Sequence, residues 1–369
     1  MTAKTDFRAI KFSKDTDTDF IRTLRKRVGA YFRTNKISRH ANASMKVKTV
    51  CMISIYLAPY FLMMTGVVTN FWAILGLWLV MGVGMAGIGL SIMHDANHGA
   101  YSSNKNVNKY LGFLLDFVGG SAYNWKIQHN LLHHSFTNVD GLDEDISPRG
   151  VLRFSPHQEH RQMHRFQHVY AWFLYGLMTF TWVVGKDFNR FFRYKSMGIG
   201  KEEKGANSHS AVFTRMLIAK LFYYTYIIVL PILVLPVSWG WVLFFFFVMH
   251  FVSGFILGII FQPAHVVPQT EYPLPDDKGK MENHWAIHQM LTTTNFAPTN
   301  PIIGWYAGGL NYQIEHHLFP TICHVHYKEL SKIVRQTAEE FGIPYHSEPT
   351  FRGAIINHGK MLWSLGNPS

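Results

Sequence analysis

Histidines occur in three clusters along this chain, and each cluster lies just outside an apolar stretch long enough to cross a bilayer. Spacings of four residues within the first two clusters bring pairs of imidazoles to one face of a helix. Neutral imidazole is the commonest protein ligand for transition metals. The three clusters together therefore predict a metal site beside a membrane. Their members are His94 and His98, then His129, His133 and His134, and finally His316 and His317.

A further candidate, His265, follows the last apolar stretch and raises the number of available histidines to eight. One ion of ordinary geometry does not need eight ligands, so two ions close together are predicted. All-nitrogen ligation favours iron, copper or zinc and argues against magnesium or calcium. Gln313 lies one helical turn before the third cluster and is a tentative additional ligand. Residues inside the clusters that could hold the ligand imidazoles in orientation are Asp95, Asn97 and Glu315.

The elements that position these residues must be largely apolar, because 48% of the 369 residues are hydrophobic and only 16% are charged. A helix needs roughly 20 residues to cross the hydrocarbon core. Apolar runs near this length predict four transmembrane helices in two hairpins, over about 49–69, 71–93, 213–237 and 241–262. The expected fold class is an all-α integral membrane protein, with a cytoplasmic helical cap that holds a histidine-rich dimetal site.

Positive charge marks the ends of these runs. The formal net charge is +12, and segment 1–48 alone holds thirteen Lys or Arg residues. The tight turns inside the two hairpins, at Asn70 and around residues 238–240, carry none. By the positive-inside rule, both termini and all three histidine clusters are expected on the cytoplasmic side. Lipid headgroups account for the charge better than nucleic acid does, and two distant cysteines favour a reducing compartment.

A fifth apolar run, at about 169–185, is expected to be an interfacial helix and not a span. If it crossed the membrane, the third histidine cluster would face the side opposite to the first two, which one shared site forbids. A helix is also predicted near Lys328–Phe341, where Gly342 and Pro344 stop it. The predicted organisation is a basic N-terminal segment, 1–48, and a membrane domain, 49–369, whose cap comprises 94–168 and 263–369.

The motifs HDANH, HNLLHH and QIEHH, with two membrane hairpins around them, resemble those of the integral-membrane fatty-acid desaturases from about Thr49 to Pro349. Gln313 in the last motif resembles the front-end, linoleoyl-CoA-type branch, which places double bonds toward the carboxyl end of an acyl chain. The resemblance implies two iron ions, dioxygen, two external electrons per turnover and an acyl-CoA or acyl-lipid substrate. The iron ligands that it implies are His94, His98, His129, His133, His134, His265, His316 and His317.

Two features depart from relatives in that family. Many front-end relatives carry a fused haem-binding domain with an HPGG motif, which this chain lacks. The electron donor is therefore expected to be a separate ferredoxin or cytochrome b-type protein, and the location a bacterial inner membrane. Some acyl-CoA relatives have an asparagine four residues before the equivalent of His265, where it holds a metal-bound water. Phe261 stands there in this chain, with Gln262 beside it.

Other functions are compatible with part of this pattern. A fatty-acyl or sphingolipid hydroxylase on the same scaffold begins with the same hydrogen abstraction, so the sequence leaves it open. A membrane metal transporter would hold its ions near mid-membrane, where only His250 is placed, and a haem protein would need paired ligands facing each other. A second series has the spacing of one helix face, which favours a polar face at the headgroups over a zinc site: His157, His160, His164 and His168.

Overall fold

The computed structural model of the chain describes residues 7–14, 18–148, 150–202 and 204–368, so part of the basic N-terminal segment lies outside the described residues. The described chain is mostly helical. Its α-helices are α1 (Thr18–Thr34), α2 (Ala43–Met64), α3 (Phe71–Asn97), α4 (Lys105–Gly112), α5 (Leu114–Phe117), α6 (Ala122–Trp125), α7 (Gln167–Thr181), α8 (Asp187–Ser196), α9 (His209–Val234), α10 (Trp239–Ala264), α11 (Trp285–Thr292), α12 (Pro301–Tyr306), α13 (Gln313–Leu318), α14 (Tyr327–Glu340) and α15 (Phe351–Gly366). Two short strands, β1 (Asn295–Phe296) and β2 (Ser347–Glu348), pair in parallel.

Four helices among the described residues are long and apolar enough to cross a membrane, namely α2, α3, α9 and α10. This confirms the number of spans predicted from the sequence. The bounds of the first differ, since α2 begins at Ala43 and ends at Met64 instead of about 49–69. It ends early because Gly66 adopts a left-handed φ of 73°. The predicted interfacial run falls in α7 and in the π-helical turn Trp182–Lys186 that follows it.

The described chain divides into two compact units. Unit 1 comprises 1–42, 128–171 and 260–369, and unit 2 comprises 43–127 and 172–259. In unit 1, apolar residues of α1 at spacings of three and four bury one face against α14. Phe20, Leu24 and Val28 supply that face. The bounds of α14 confirm the helix predicted there, and Gly342 takes a φ of 66° just beyond its end.

Close helix packing organises unit 2. A Cβ atom on Gly84 of α3 would lie 2.6 Å from the backbone nitrogen of Tyr56 in α2, so only glycine permits this approach. A Cβ atom on Gly82 would likewise lie 2.6 Å from the carbonyl oxygen of Met249 in α10. A buried ion pair adds a polar contact, with Lys220 Nζ 2.9 Å from Asp187 Oδ2.

Candidate metal centre

Unit 1 brings together six of the eight predicted histidine ligands. Two groups of three are close enough to share an ion, because the ligand nitrogens within each group lie within 4.8 Å of one another. His317 belongs to both groups, so the two positions are adjacent, as two metal ions close together require. The sixth ring, His129, places its Nε2 atom 3.3 Å from that of His134. The two groups are His133, His265 and His317, and His134, His316 and His317.

The second histidine cluster lies on a π-helix, Lys126–His133, and not on the α-helix that its spacing of four predicts. The backbone N–H of His134 donates to the carbonyl of His129 at 3.0 Å, five residues back. Residues five apart therefore share a face here, which brings the Nε2 atoms of these two residues together. A second π-helical turn, Ile88–Ile92, comes just before the first cluster. Single π turns of this kind recur at functional sites.

Five of the six rings have their Nδ1 atom against a fixed protein partner, which leaves Nε2 for another role. Ligating histidines are typically held in this way by a carboxylate, carbonyl or similar group. This pattern, on buried rings, fits metal ligands. The contacts of Nδ1 are His133 to Asp143 Oδ2 at 3.0 Å, His129 to Asp145 Oδ2 at 3.4 Å, His317 to Gln289 Oε1 at 2.7 Å, His265 to the Thr292 carbonyl at 3.4 Å, and His316 to the Tyr327 hydroxyl at 3.3 Å.

The charge of the rings follows from their surroundings. Burial disfavours a charged His133, but the carboxylates of Asp143 and Asp145 outweigh that effect and raise its pKa. Burial lowers the pKa of His265 well below its ordinary value, and the positive charge of His133 lowers it further. The Nε2 atom of His133 is buried and has no hydrogen-bond partner in the described part of the chain. A cation bound there would give this atom the partner that it lacks.

Gln313 lies inside this group of rings. Its Nε2 atom is 2.8 Å from His265 Nε2 and 3.4 Å from His317 Nε2. Its Oε1 atom is buried and accepts no hydrogen bond from the described residues. The amide oxygen and nitrogen have nearly the same shape, so the side chain fits the same space in either orientation. Rotated by half a turn, the amide would direct its oxygen toward the ring nitrogens. The position suits the ligand role predicted for Gln313 and equally suits a hydrogen bond to the neighbouring rings.

The first cluster belongs to unit 2, where His94 and His98 lie one turn apart at the end of α3. Their ring centroids are 4.8 Å apart, and each is 5.5 Å from the ring of Trp125. The N–H of His98 donates to the His94 carbonyl at 3.1 Å, so α3 continues through the cluster as its spacing predicts. The two rings therefore meet edge to face.

Asp95, Asn97 and Glu315, which were predicted to orient the imidazoles, are all buried. Glu315 is buried on α13, and its oxygens accept hydrogen bonds from Asn295 Nδ2 at 2.8 Å and the Tyr345 hydroxyl at 2.9 Å. Burial raises the pKa of Glu315 to about 7. These two bonds fasten the helix that carries the third cluster. Asp95 and Asn97 are both buried at the end of α3 in unit 2.

The second histidine series does not form the single helix face that its spacing predicts. Residues 157–161 lie outside any helix, and a 3₁₀ turn, Gln162–Phe166, precedes α7. Three members contact separate backbone carbonyls of Tyr272, Gly366 and Gly150. That prediction was wrong because the chain bends at these loop contacts. The members concerned are His157, His160 and His164.

Other histidines outside the clusters have structural partners. His250, inside α10, contacts the Tyr223 hydroxyl at 2.7 Å and the Thr179 hydroxyl at 3.2 Å. This is the hydrogen bond across helices that a buried polar residue in a span requires. His284 caps α11, its Nδ1 atom accepting from the Ala286 N–H at 3.1 Å.

Sequence reasoning missed the residues that hold the rings. Asp143 and Asp145 come ten and twelve residues after His133, in a loop with no periodic signal. The contact of Thr137 with the site could have been predicted, since this residue follows His133 by four residues, the spacing of one helix face. Its hydroxyl contacts Gln289 Oε1 at 2.8 Å and His317 Nδ1 at 3.2 Å.

Known proteins resemble this chain over the region of all three clusters. A family model described as Fatty acid desaturase matches residues 70–349. The sn-1 linoleoyl-lipid 6-desaturase of Synechocystis sp. is 37% identical over 363 residues, 98% of this chain and 98% of that protein. The Acyl-lipid (8-3)-desaturase of Physcomitrium patens is 36% identical, over 97% of this chain and 74% of that protein. The sn-1 linoleoyl-lipid 6-desaturase of Arthrospira platensis is 35% identical, over 95% of this chain and 93% of that protein.

Proposed function

The chain belongs to the fatty acid desaturase family and is a fatty-acyl desaturase, and from this premise we propose its cofactor, substrate and donor. It uses two iron ions, dioxygen and an external electron donor. It inserts a cis double bond into an acyl chain on the carboxyl side of an existing double bond. The names of its relatives, two linoleoyl-lipid 6-desaturases and an acyl-lipid (8-3)-desaturase, favour a lipid-linked chain as substrate.

The observation that carries this proposal is the set of buried rings whose Nδ1 atoms have fixed partners. Such a set holds each imidazole in one orientation and one tautomer before metal binds. The ligands from unit 1 are the six rings described above. His94 and His98 are proposed as further ligands on the strength of the sequence motif HDANH alone. When bound, the two irons would activate dioxygen as the oxidant. The overall reaction removes one hydrogen from each of two neighbouring methylenes, and two external electrons and two protons complete the reduction of dioxygen to two waters.

The chain's own residues keep the site dry and rigid. The ligand rings of unit 1 are at most 6% exposed, so bulk water has little access to them. Dryness protects a strongly oxidising centre from side reactions with water. Thr137 and Gln289 hold His317, and Asp143 holds His133, through side chains that are themselves buried. The imidazoles therefore act as ligands and not as acids or bases.

Electrons come from a separate donor, a ferredoxin or a cytochrome b-type protein. Arg25, Lys26 and Arg33 are exposed on α1, which suits an acidic partner. This helix packs on α14, whose first residue, Tyr327, contacts the ligand ring of His316. The basic side chains of α1 are therefore connected to the ring of His316 through the packing of α1 on α14.

The protein is a membrane protein by the composition of its four apolar helices. We place its active site and both termini on the cytoplasmic side of a bacterial inner membrane. The support is the charge pattern: the turn at Asn70 carries no basic residue, whereas Lys46 and Lys48 lie at the start of α2.

The test is to express the chain in bacteria fed linoleate and to locate double bonds in the total fatty acids by mass spectrometry after derivatisation. A new bond between the existing ones and the carboxyl end supports the proposal. His317→Ala should abolish both product and bound iron, whereas the exposed His157→Ala should keep both. A hydroxylated product would instead establish a hydroxylase. His317→Ala with normal iron and turnover would overturn the ligand assignment.

A further inference from the structure

Unit 2 contains a cavity of about 420 Å³ between α4, α6, α9 and the loop near residue 200. Asn97, three residues after His94, lines it on the side of α3. Gly112 of α4 lines it next to Asn97, and a Cβ atom on this glycine would collide with the amide oxygen of Asn97. The absence of a side chain at Gly112 lets α4 pack closely against Asn97. The cavity therefore reaches the helix that carries the first histidine cluster.

Three basic side chains from different elements line this cavity: Lys109 of α4, Lys126 after α6, and Arg215 of α9. All three are exposed, and none forms a hydrogen bond or an ion pair with the part of the chain that the structure describes. Among the described residues that line the cavity, one acidic side chain faces these three like charges, so the excess of positive charge raises the local affinity for an anion. The positive charge is therefore available to a ligand.

One acidic residue, Asp116, lines the cavity among the described residues. The charges of Asp187 and Lys126 both act on it, and it accepts a hydrogen bond from the Ala122 N–H at 3.3 Å. Burial raises the pKa of Asp116 to about 7, with the charge of Asp187 adding to that rise. Even when this carboxyl is ionised, the three basic side chains outnumber it, so the cavity keeps a net positive charge. With a pKa of about 7, the group can accept a hydrogen bond from a ligand hydroxyl or, when protonated, donate one to it.

The size of the cavity limits the part of a ligand that it can enclose. At roughly 30 Å³ for each water-sized group, it holds on the order of 14 such groups. That is more than a free phosphate needs and matches a phosphate with a small polyol. Val212 and Met216 give one wall an apolar surface, and Asn97 and Asn207 add amides. Most of a coenzyme A would have to remain outside.

We propose that this cavity binds the phosphate and polyol of an anionic glycerolipid and so selects acyl chains carried on a glycerolipid. Lys109, Lys126 and Arg215 bind the phosphate, with Arg215 able to do so through two parallel hydrogen bonds. Asp116 and Asn97 bind the polyol hydroxyls. The inference rests on the proposed function, because it names the carrier of the acyl chain that the same enzyme desaturates.

The test uses the full chain in nanodiscs that contain either phosphatidylglycerol or phosphatidylcholine, each with a linoleoyl chain. Binding is measured by native mass spectrometry, and the rate by product analysis. The variant is Lys109→Gln with Arg215→Gln. The matched control is Lys105→Gln with Lys201→Gln, which removes the same charge from exposed positions that do not line the cavity. Iron content and thermal unfolding check that every protein is folded.

The variant should bind phosphatidylglycerol roughly tenfold more weakly, and its affinity for phosphatidylcholine, whose cationic choline offsets the phosphate charge, should fall less. The control's affinity for both lipids should stay unchanged. Equal loss in variant and control would overturn the proposal, since general surface charge would then account for it. A raised KM for linoleoyl-CoA with unchanged phosphatidylglycerol binding would overturn the glycerolipid assignment. A wild-type protein that binds phosphatidylglycerol selectively but forms no double bond would contradict the proposed function and support the binding site.

Discussion

The Nδ1 atom of His133 lies 3.0 Å from Oδ2 of Asp143, and both side chains are fully buried. The same carboxylate oxygen accepts the backbone N–H of Asn138 at 2.9 Å, so its position does not depend on the ring. The contact turns the unpartnered Nε2 atom of His133 toward His265 and His317. A carboxylate that sequence spacing does not reveal therefore orients one of the central rings of the site.

Asp143→Asn should reduce iron affinity by about tenfold, because the neutral amide no longer supports the basicity and orientation of His133. Iron per protein after dialysis against a weak chelator measures this effect. Asp277→Asn, at an exposed carboxylate of the same unit, is the control and should keep its iron. Unchanged iron retention in Asp143→Asn would show that the ring is held in place without the carboxylate.

Gln313→Leu should lower turnover at least tenfold and weaken iron binding, since it removes the only amide placed between His265 and His317 among the described residues. Gln313→His should retain iron, because an imidazole restores a nitrogen at this position. The comparison of the two variants separates ligation from packing. Gln336→Leu, at an exposed glutamine of α14, controls for the loss of an amide. Normal iron and normal rate in Gln313→Leu would exclude a role at the metal site.

Sequence reasoning predicted the histidine pairs that repeat at helical spacing. His94 and His98 are such a pair, and the four apolar runs follow from length and hydropathy alone. It could not predict the π-helix Lys126–His133, because a hydrogen-bond register of five leaves no mark on the spacing of apolar residues. The helix α15 was also missed. Its mixed sequence has no strong period, and unit 1 stabilises it through contacts such as that of His358 with the Val266 carbonyl at 2.7 Å.

The residues that contact the histidine rings were not predicted from the sequence, for a different reason. Gln289 is 28 residues from His317, and Asn138 reaches the carbonyls of His265 and Thr292. Such pairs are set by how loops and helices fold back on one another, which one sequence does not encode locally. The histidine clusters were therefore predictable, and the residues that contact their rings were not.

Lys220→Met should destabilise the protein by about 3–5 kcal/mol, because Asp187 would remain buried without its counter-charge. Lys220 Nζ also donates to the carbonyls of Gly119 and Val183, at 2.9 and 3.0 Å. The double variant Lys220→Met with Asp187→Asn should recover part of the loss, since no buried charge is left. Thermal unfolding in detergent measures all three proteins, with Lys201→Met as an exposed control. A Tm of Lys220→Met within a degree of the wild type would contradict this prediction.

Acid should destabilise unit 1 through two buried neutral histidines. Burial lowers the pKa of both His288 and His358 to about 4. Their folded pKa lies below the unfolded value of about 6.5, so the unfolded chain takes up protons first. The stability that each neutral ring contributes is complete above pH 6.5 and is lost as the pH falls toward 4, by about 3 kcal/mol for each ring. His358→Asn should flatten the fall in Tm between pH 6.5 and 4.5, and the exposed His157→Asn should not. The same slope in both variants would refute this account.

Arg25→Gln with Lys26→Gln should raise the KM for an acidic electron donor about tenfold and leave kcat unchanged at saturating donor. The reason is that exposed charges on α1 act on encounter with the partner, whereas the ligand shell beneath is untouched. Added salt should raise the KM of the wild type and reduce its difference from the variant, because screening weakens the same attraction. Steady-state oxidation of a reduced plant-type ferredoxin, used as the acidic probe, measures the effect.

Lys278→Gln with Arg352→Gln removes equal charge elsewhere in unit 1 and should behave as the wild type. If both pairs of substitutions raise KM equally, the donor responds to net charge and has no docking site on α1. A lower kcat in the first pair would instead mean that α1 supports the His316 ligand through Tyr327.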